Sequence, residues 1–433
     1  MVSKHIEGIE FDESKKILKK FPCEYRGVYV VPDGVTTIGE KAFSGCNGLT
    51  HIDFPDSVEV IEKYAFLSCS GLKELVLPDK VSHLGWRALY SCTNLKRLHL
   101  PDNLKSLGMY SLRYCTALRE IELPDQLESI EYCAFEDCKS LTHLHIPASV
   151  KEIEDDIVRG CNKLMSITVS EDNPVFDSRE NCNGIIHTES NTLVITCKTT
   201  VIPESVTALG SRAFCGNKKI TEIYLHDGIT SIGHRAFCAC DKLQKIRIPD
   251  SLTEIGPYAF FSSPVLQEIT IPAGVTTIEE GAFSACFALA KISMQDSVTS
   301  IGDSAFDSTS ITEMRIPNGV TSIGDTAFWG CKKLESVYIP DSVTHIGEEA
   351  FKDCKSLTSI RLPEGLKEID SGVFQGCKKL KEIRIPDSVT TIKGYAFAGC
   401  KSLTKIHLPS RKINVDETAF DGCPKDKSNT RNK

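Results

Sequence analysis

The chain has 433 residues, of which 41% are hydrophobic and 25% are charged, as in an ordinary folded, soluble protein. Its formal charge of −8 argues against non-specific nucleic-acid binding, which requires a basic surface. No segment approaches the ~18 consecutive apolar residues of a membrane span. The N-terminus, MVSKHIEGIEFDESKK, lacks the apolar core of a secretory signal. We therefore expect either a cytoplasmic protein or one whose signal has been removed.

A unit of 23 residues recurs along most of the chain and predicts its architecture. One copy begins at IPDSVTHIGEEAFKDCKSLTSIRLP, residues 339–363, and its Ala350-Phe351 pair returns as Ala327-Phe328 and Ala396-Phe397. Each unit is too short to bury a core alone, so neighbouring units must stack. The domains predicted from this rhythm are an N-terminal hairpin cap (1–24), six repeats (25–169), an inserted hairpin module (170–201), ten repeats (202–423) and a disordered polar tail (424–433).

The residues within one unit have distinguishable structural roles. Ile360 and Leu362 alternate with polar residues, which is the pattern of a half-buried strand, and Pro363 ends that strand. The segment PDSVTHIG predicts a turn, and GEEAFKDC predicts a single helical turn that buries Ala350 and Phe351. Stacked coils place these strands in one parallel sheet with a spacing of about 4.8 Å. The predicted fold is therefore an α/β repeat solenoid with a sheet on one face and short helical turns and loops on the other.

Cysteine is unusually frequent, but its spacing argues against a disulfide framework. Thirteen of the 19 cysteines occupy one inward position of the repeat, as Cys331 and Cys354 do, so we expect free, buried thiols there. Outside this column, Cys215 with Cys238 and Cys182 with Cys197 could each form a disulfide. Free thiols are nevertheless the preferred interpretation for both pairs, because the chain shows no export signal.

The unit IPxSVTxIGxxAFxGCxxLxxIxIP resembles the BspA-type class of leucine-rich repeats, found in surface proteins of oral and gut Bacteroidetes and in some protist parasites. The resemblance covers about residues 25–423, and the segments DNPVFDSRENCNGIIHTESNTLVI and FDESKKILKKFP also resemble parts of Bacteroidales proteins. It implies a right-handed, curved solenoid that binds other proteins, often as a surface adhesin. This chain shows no signal or anchoring domain, so the expected surface location does not follow from its own residues.

No motif for catalysis is present. The chain lacks G-x-S-x-G, H-E-x-x-H, G-x-x-x-x-G-K and G-x-G-x-x-G, and Cys238-Ala239-Cys240 has no partner pair at zinc spacing. We therefore predict a protein that is not an enzyme and that uses no cofactor.

The variable positions of the strand predict where a partner would bind. In each LxxIxI segment, the residue before the last apolar position should face outward, and in the late repeats this column carries arginine, tyrosine and histidine. Its members there are Arg315, Tyr338, Arg361, Arg384 and His407, with Tyr224 and Arg247 earlier in the same column. Arginine and tyrosine are enriched at interaction hot spots. A solvated surface without a partner, compensated by Glu313 and Glu382, is the alternative.

A second cluster in the early repeats is a weak candidate metal site. His99, Glu122 and His145 lie at one position of three successive units, and imidazole with carboxylate could hold zinc. Glutamate between two histidines is also an ordinary cross-strand charge pattern, so our expectation is that no metal is bound.

The sequence thus predicts a non-catalytic, protein-binding scaffold that acts as a monomer. If the chain is exported, adhesion to host or bacterial surface proteins is the expected role. An intracellular scaffold for protein–protein interaction is the alternative.

Overall fold

The computed structural model describes residues 6–424, so the predicted tail lies outside the described residues apart from Pro424. The chain divides into two compact units, Met1–Val206 and Thr207–Lys433. Both units are built from stacked coils of short β-strands. Within the described residues the only helix is a 3₁₀ helix at Arg179–Asn181, so the fold is a β-solenoid and the helical component of the predicted α/β class is wrong.

The described part of the first unit, residues 6–206, contains seventeen strands, most of them two to four residues long. They are Glu10–Phe11 (β1), Ile17–Lys20 (β2), Gly27–Val30 (β3), Thr37–Ile38 (β4), Leu49–Asp53 (β5), Val60–Ile61 (β6), Glu74–Val76 (β7), His83–Leu84 (β8), Arg97–His99 (β9), Ser106–Leu107 (β10), Ser129–Ile130 (β11), His143–Ile146 (β12), Glu152–Ile153 (β13), Ser166–Val169 (β14), Phe176–Asp177 (β15), Gly184–His187 (β16) and Thr192–Thr196 (β17).

The second unit, as far as residue 424, contains nineteen strands of two or three residues. They are Ala208–Leu209 (β18), Glu222–Tyr224 (β19), Ser231–Ile232 (β20), Lys245–Arg247 (β21), Glu254–Ile255 (β22), Glu268–Thr270 (β23), Thr277–Ile278 (β24), Lys291–Ser293 (β25), Ser300–Ile301 (β26), Glu313–Arg315 (β27), Ser322–Ile323 (β28), Ser336–Tyr338 (β29), His345–Ile346 (β30), Ser359–Ile360 (β31), Glu368–Ile369 (β32), Glu382–Arg384 (β33), Thr391–Ile392 (β34), Lys405–His407 (β35) and Asn414–Val415 (β36).

A typical coil contributes two strands, one to each of two parallel ladders. In the second unit β27, β29, β31, β33 and β35 form the ladder that the sequence predicts. A second ladder, where the sequence predicts turns, joins β24, β26, β28 and β30, and each of these strands ends at the isoleucine of a V-T-x-I segment. The pairing of His345–Ile346 with Ser322–Ile323 shows why: isoleucine faces the core while the residue before it faces outward, as in a strand.

The ladder built from LxxIxI segments is not continuous, contrary to the single sheet expected. In the first unit it consists of the pairs β3–β5, β7–β9 and β12–β14. Residues 119–124, which lie in sequence between β9 and β12, form no strand. The other ladder of this unit runs without interruption from β2 through β4, β6, β8, β10 and β11 to β13, so it supplies the longer sheet there.

The predicted helical turn at residues 347–354 is instead a turn with left-handed backbone at Glu349 (φ 55°) and Asp353 (φ 57°). The reason lies in the hydrogen bonds between coils. The N–H of Phe351 donates to the carbonyl of Val373 on the next coil, at 2.9 Å, so it is not available for a helical bond within its own segment. The turns of successive coils are therefore joined by backbone hydrogen bonds from one coil to the next.

The core is a column of aromatic rings in the second unit and largely aliphatic in the first. The ten phenylalanines at the core position of the repeat, from Phe214 to Phe420, stack on their neighbours, with ring centroids 5.1–5.7 Å apart. In the first unit Phe43 and Phe66 stack at 5.2 Å, and the next two coils place Leu89 and Leu112 at the same position. Burial of these columns is the main stabilising term of the stack.

The repeat cysteines are free thiols, as the sequence predicts, and all are buried except the half-buried Cys423. Each typically donates its S–H to the carbonyl of the phenylalanine position one coil earlier. Cys354 Sγ, for example, lies 3.2 Å from the oxygen of Phe328. Burial raises the pKa of such thiols, to about 12 for Cys286. The two possible pairs outside this column, Cys215 with Cys238 and Cys182 with Cys197, are not joined by disulfides.

Both predicted hairpins correspond to antiparallel strands. β1 pairs with β2, and Asp12 accepts the N–H of Ile17 at 2.8 Å across the turn. In the inserted segment, β16 pairs with β15 and β17. Buried Asn173 fixes the start of this insertion: its Nδ2 donates to the carbonyls of Pro147 and Val150, both at 2.9 Å, and its Oδ1 accepts backbone N–H groups. The roles of these hairpins as cap and inserted copy stay predictions.

Candidate protein-binding surface

The candidate surface, here called the stripe, consists of Arg315, Tyr338, Arg361, Arg384 and His407 in the second unit. It is positioned by one five-stranded parallel ladder whose strands alternate an inward apolar residue with outward polar residues on either side. The register places Arg315 directly opposite Tyr338, and Arg384 directly opposite His407. All five side chains are exposed.

Arg315 and Tyr338 form a contact at the start of the stripe. The Arg315 guanidinium lies over the Tyr338 ring, 5.3 Å from its centroid, and Tyr338 remains 48% exposed. They line a shallow depression of about 800 Å³ together with Ser336, Ser359 and Arg361. A cation on an exposed aromatic ring forms a flat, preorganised surface at which a partner could bind.

The charges of the stripe are only partly neutralised. Arg361 Nη2 donates to both carboxylate oxygens of Asp341, at 2.9 and 3.0 Å, and this hydrogen bonding lowers the pKa of the Asp341 carboxyl. His407 Nε2 lies 3.0 Å from Glu382 Oε1. Within residues 6–424 no carboxylate forms an ion pair with Arg315 or Arg384. Two guanidinium groups of the stripe are therefore available to an external anion.

Sequence reasoning missed the residue that neutralises the centre of the stripe. Asp341 is 20 residues before Arg361 and belongs to the Pro-Asp turn, not to the strand column. The expected compensation by Glu382 is present but goes to His407 and, at 3.8 Å, to Lys405. Only the return of the chain from one coil to the next brings these groups together.

Tyr224 and Arg247 stand at the same strand position on β19 and β21, which form a separate two-stranded ladder. They face each other in register, and Tyr224 is 68% exposed. The Tyr224 hydroxyl donates to Glu222 Oε2 at 3.2 Å. The structure thus places both residues on the surface but outside the ladder that carries the stripe.

The three metal candidates are not assembled into a site. His99 ends β9, Glu122 lies in the strandless segment and His145 lies on β12, where its Nδ1 contacts Thr168 Oγ1 at 2.9 Å. None of the described residues belongs to a group of three His, Cys, Asp or Glu side chains that could hold a metal ion. Nor does any helix in this part of the chain have the length and apolar character required to cross a membrane.

Comparisons with known proteins agree with this architecture. The model of the BspA type leucine rich repeat region, which comprises six copies, matches residues 28–118, 86–183, 186–310 and 299–427. No curated protein matches the chain. The crystal structure of a leucine-rich repeat protein from Bacteroides ovatus ATCC 8483 is 26% identical, with a TM-score of 0.50, and the match covers 95% of this chain and 94% of that one.

A second solved structure shows similarity of the fold alone. A leucine-rich repeat protein from Eubacterium ventriosum ATCC 27560 is 21% identical, with a TM-score of 0.53, and the match covers 97% of this chain and 94% of that chain. Because the family model matches far more than half of the residues, the chain belongs to the BspA type leucine-rich repeat family.

Proposed function

We propose that this chain is a non-catalytic scaffold that binds another protein through the stripe. The observation that supports this most is the pair of guanidinium groups, Arg315 and Arg384, that form no ion pair among the described residues, one of them held on an exposed tyrosine ring. Arginine and tyrosine are the side chains that most often supply binding energy at interfaces. A scaffold of stacked coils presents them on a rigid ladder, which reduces the entropy lost on binding.

The partner expected is an acidic surface of a host or bacterial surface protein, and the location expected is the cell surface or the medium. The membership in the BspA type family supports this, since its repeats occur in surface proteins. We also propose that the protein is a monomer and that its solenoid is right-handed and curved. Fractionation of the native organism, with detection of the protein by antibody, tests the location. Recovery in the cytoplasm alone would favour the intracellular scaffold.

The binding role is tested by charge reversal on the stripe. The partner is captured on the immobilised protein, identified by mass spectrometry, purified and used for titration calorimetry. We expect Arg315→Glu and Tyr338→Ala together to weaken binding by about 30-fold or more, the effect of losing a hot spot of about 2 kcal/mol.

The matched control is Lys333→Glu, an exposed lysine on the loop that leads into the strand of Tyr338. It changes the net charge by the same amount as Arg315→Glu but lies outside the stripe. Binding by the Arg315 and Tyr338 variant at the unaltered affinity, with an unchanged circular dichroism spectrum, would refute the proposal. Equal weakening by the control would show that the net charge of the protein, and not the stripe, is recognised.

A further inference from the structure

A second cluster of interaction-prone side chains lies on the turn face of the first unit, away from the strand columns considered above. It is here called the Arg87 cluster and consists of Tyr64, Trp86, Arg87, Tyr90 and Tyr110. Tyr64, Arg87 and Tyr110 occupy the same repeat position on three successive coils, and each has a left-handed backbone, with φ of 60°, 54° and 55°. Backbone hydrogen bonds between coils hold these positions together. The Arg87 N–H, for example, donates to the Met109 carbonyl at 3.0 Å.

The Arg87 guanidinium is surrounded by aromatic rings. It lies 4.8 Å from the ring centroid of Trp86, 4.9 Å from Tyr110, 5.2 Å from Tyr90 and 6.0 Å from Tyr64. Aromatic faces stabilise the positive charge, but they accept none of the five N–H hydrogen bonds that a guanidinium offers. The cluster therefore holds an arginine in a fixed position without using its directional donors.

Within residues 6–424 the Arg87 side chain makes no hydrogen bond and no ion pair, and its buried Nε has no partner. The neighbouring cations differ in that each forms an ion pair. Arg113, which lies over three tyrosine rings, pairs with Glu136 at 2.7 Å, and Lys41 pairs with Glu40 at 3.6 Å. The two Nη groups of Arg87 are not buried and have no acceptor in this part of the chain, so they are the donors that an external anion can reach.

The surroundings of Arg87 indicate the class of that anion. Trp86 is 40% exposed, and Met109, on the next coil, is 37% exposed. A carboxylate fits the planar fork of a guanidinium with two parallel hydrogen bonds. A flexible thioether beside an indole favours an apolar amino-acid side chain over a sugar ring, because methionine packs against irregular apolar groups.

We propose that the Arg87 cluster binds an acidic peptide segment of a partner protein. The guanidinium of Arg87 donates two N–H groups to an aspartate or glutamate carboxylate, while Trp86 and Met109 contact the apolar residue next to it. This surface lies in the first unit and does not depend on the role of the stripe. A partner protein with such a segment could use it whether or not the stripe binds anything.

Trp86 supplies a local probe for the test, because the chain has two tryptophans and Trp329→Phe leaves Trp86 as the only one. The fluorescence of this variant is titrated with the peptide acetyl-GDFDG-amide, with its neutral counterpart acetyl-GNFNG-amide and with an oligomer of glucuronic acid. We expect a saturable change in the millimolar range with the acidic peptide. The affinity for the neutral peptide should be at least about tenfold lower, since the charge-assisted bonds are missing.

Substitutions then assign the effect to Arg87. Arg87→Ala should abolish the saturable change, and Arg87→Lys should weaken it several-fold, because an ammonium cannot form the bidentate bond. The matched control is Arg235→Ala, at the same repeat position in the second unit, where the guanidinium lies 5.1 Å from the Tyr258 ring. It should leave the titration unchanged.

Several outcomes would overturn the inference. Equal responses to the acidic and the neutral peptide would remove the role of the carboxylate, and undiminished binding by Arg87→Ala would remove the role of Arg87. Saturation by the glucuronic acid oligomer alone would assign the cluster to an acidic sugar instead of a peptide. A flat titration with every probe would show that the cluster only stabilises the stack. If circular dichroism shows that Arg87→Ala disturbs folding, the titration of Arg87→Lys decides whether Arg87 binds the carboxylate.

Discussion

The ring column of the second unit predicts how much a single phenylalanine contributes. Phe351 is fully buried and is sandwiched between two parallel rings, Phe328 at 5.1 Å and Phe374 at 5.7 Å. Phe351→Ala removes both stacking contacts and leaves a cavity. Large-to-small changes of this kind cost about 3–5 kcal/mol, and the two-sided contact places Phe351 at the upper end of that range. We therefore expect a loss of about 4–5 kcal/mol in local stability.

The matched control is the terminal ring of the same column. Phe420 is half-buried and stacks on one ring only, that of Phe397 at 5.1 Å. Phe420→Ala should therefore cost roughly half as much as Phe351→Ala, about 2 kcal/mol. The two variants remove the same atoms from the same repeat position, so their difference isolates the second ring contact and the deeper burial.

Hydrogen exchange followed by mass spectrometry is the appropriate measurement, because a repeat protein opens by parts and a single unfolding midpoint would average over them. We expect exchange in Phe351→Ala to rise most for the coils around residues 328–374, whose N–H groups form the inter-coil bonds. A smaller loss for Phe351→Ala than for Phe420→Ala would refute this reasoning. So would an increase spread evenly over the whole chain.

The remaining predictions concern the tight stacking of the coils. Gly347→Ala should destabilise the second unit by about 1–3 kcal/mol, since a Cβ there would lie 2.5 Å from the backbone nitrogen of Asp325. Gly365→Ala, whose Cβ meets nothing closer than 3.7 Å, should be neutral in the same urea titration; equal losses would contradict this. Iodoacetamide at pH 7.5 should modify exposed Cys23 before unfolding but Cys354 only after it, because burial raises the pKa of Cys354. Modification of Cys23 and Cys354 at similar rates in the native protein would contradict this prediction.

The sequence was most informative where one residue type repeats at one position. The columns of Ala350, Phe351 and Cys354 were assigned to the core, and the structure buries all three completely. Free thiols followed from the same argument, since thirteen cysteines at one inward position form a column of small apolar groups. The family resemblance rested on these positions as well and is confirmed.

The turn was predicted wrongly because its conformation depends on the next coil. Local propensity cannot show that Glu349 adopts a left-handed backbone, a conformation that favours glycine. The neighbouring coils bond to both sides of this turn, and Phe351 N–H already has a carbonyl of the next coil as its acceptor. The second ladder was missed for a related reason, since two-residue strands carry almost no periodic signal of their own.

For the stripe and the Arg87 cluster too, the sequence determined one part and the tertiary structure the other. Sequence alone determined that Arg315, Tyr338 and Arg384 face outward, since alternation along a strand decides which side chains leave the core. Only the tertiary structure decided which charges of the stripe are neutralised, because Asp341 reaches Arg361 from the preceding coil. The same holds for Arg87: two of its four rings, Tyr64 and Tyr110, come from positions 23 residues away, and stacking of coils brings them within 6.0 Å. A repeat determines its own inward face, whereas contacts between coils decide what its outward face can bind.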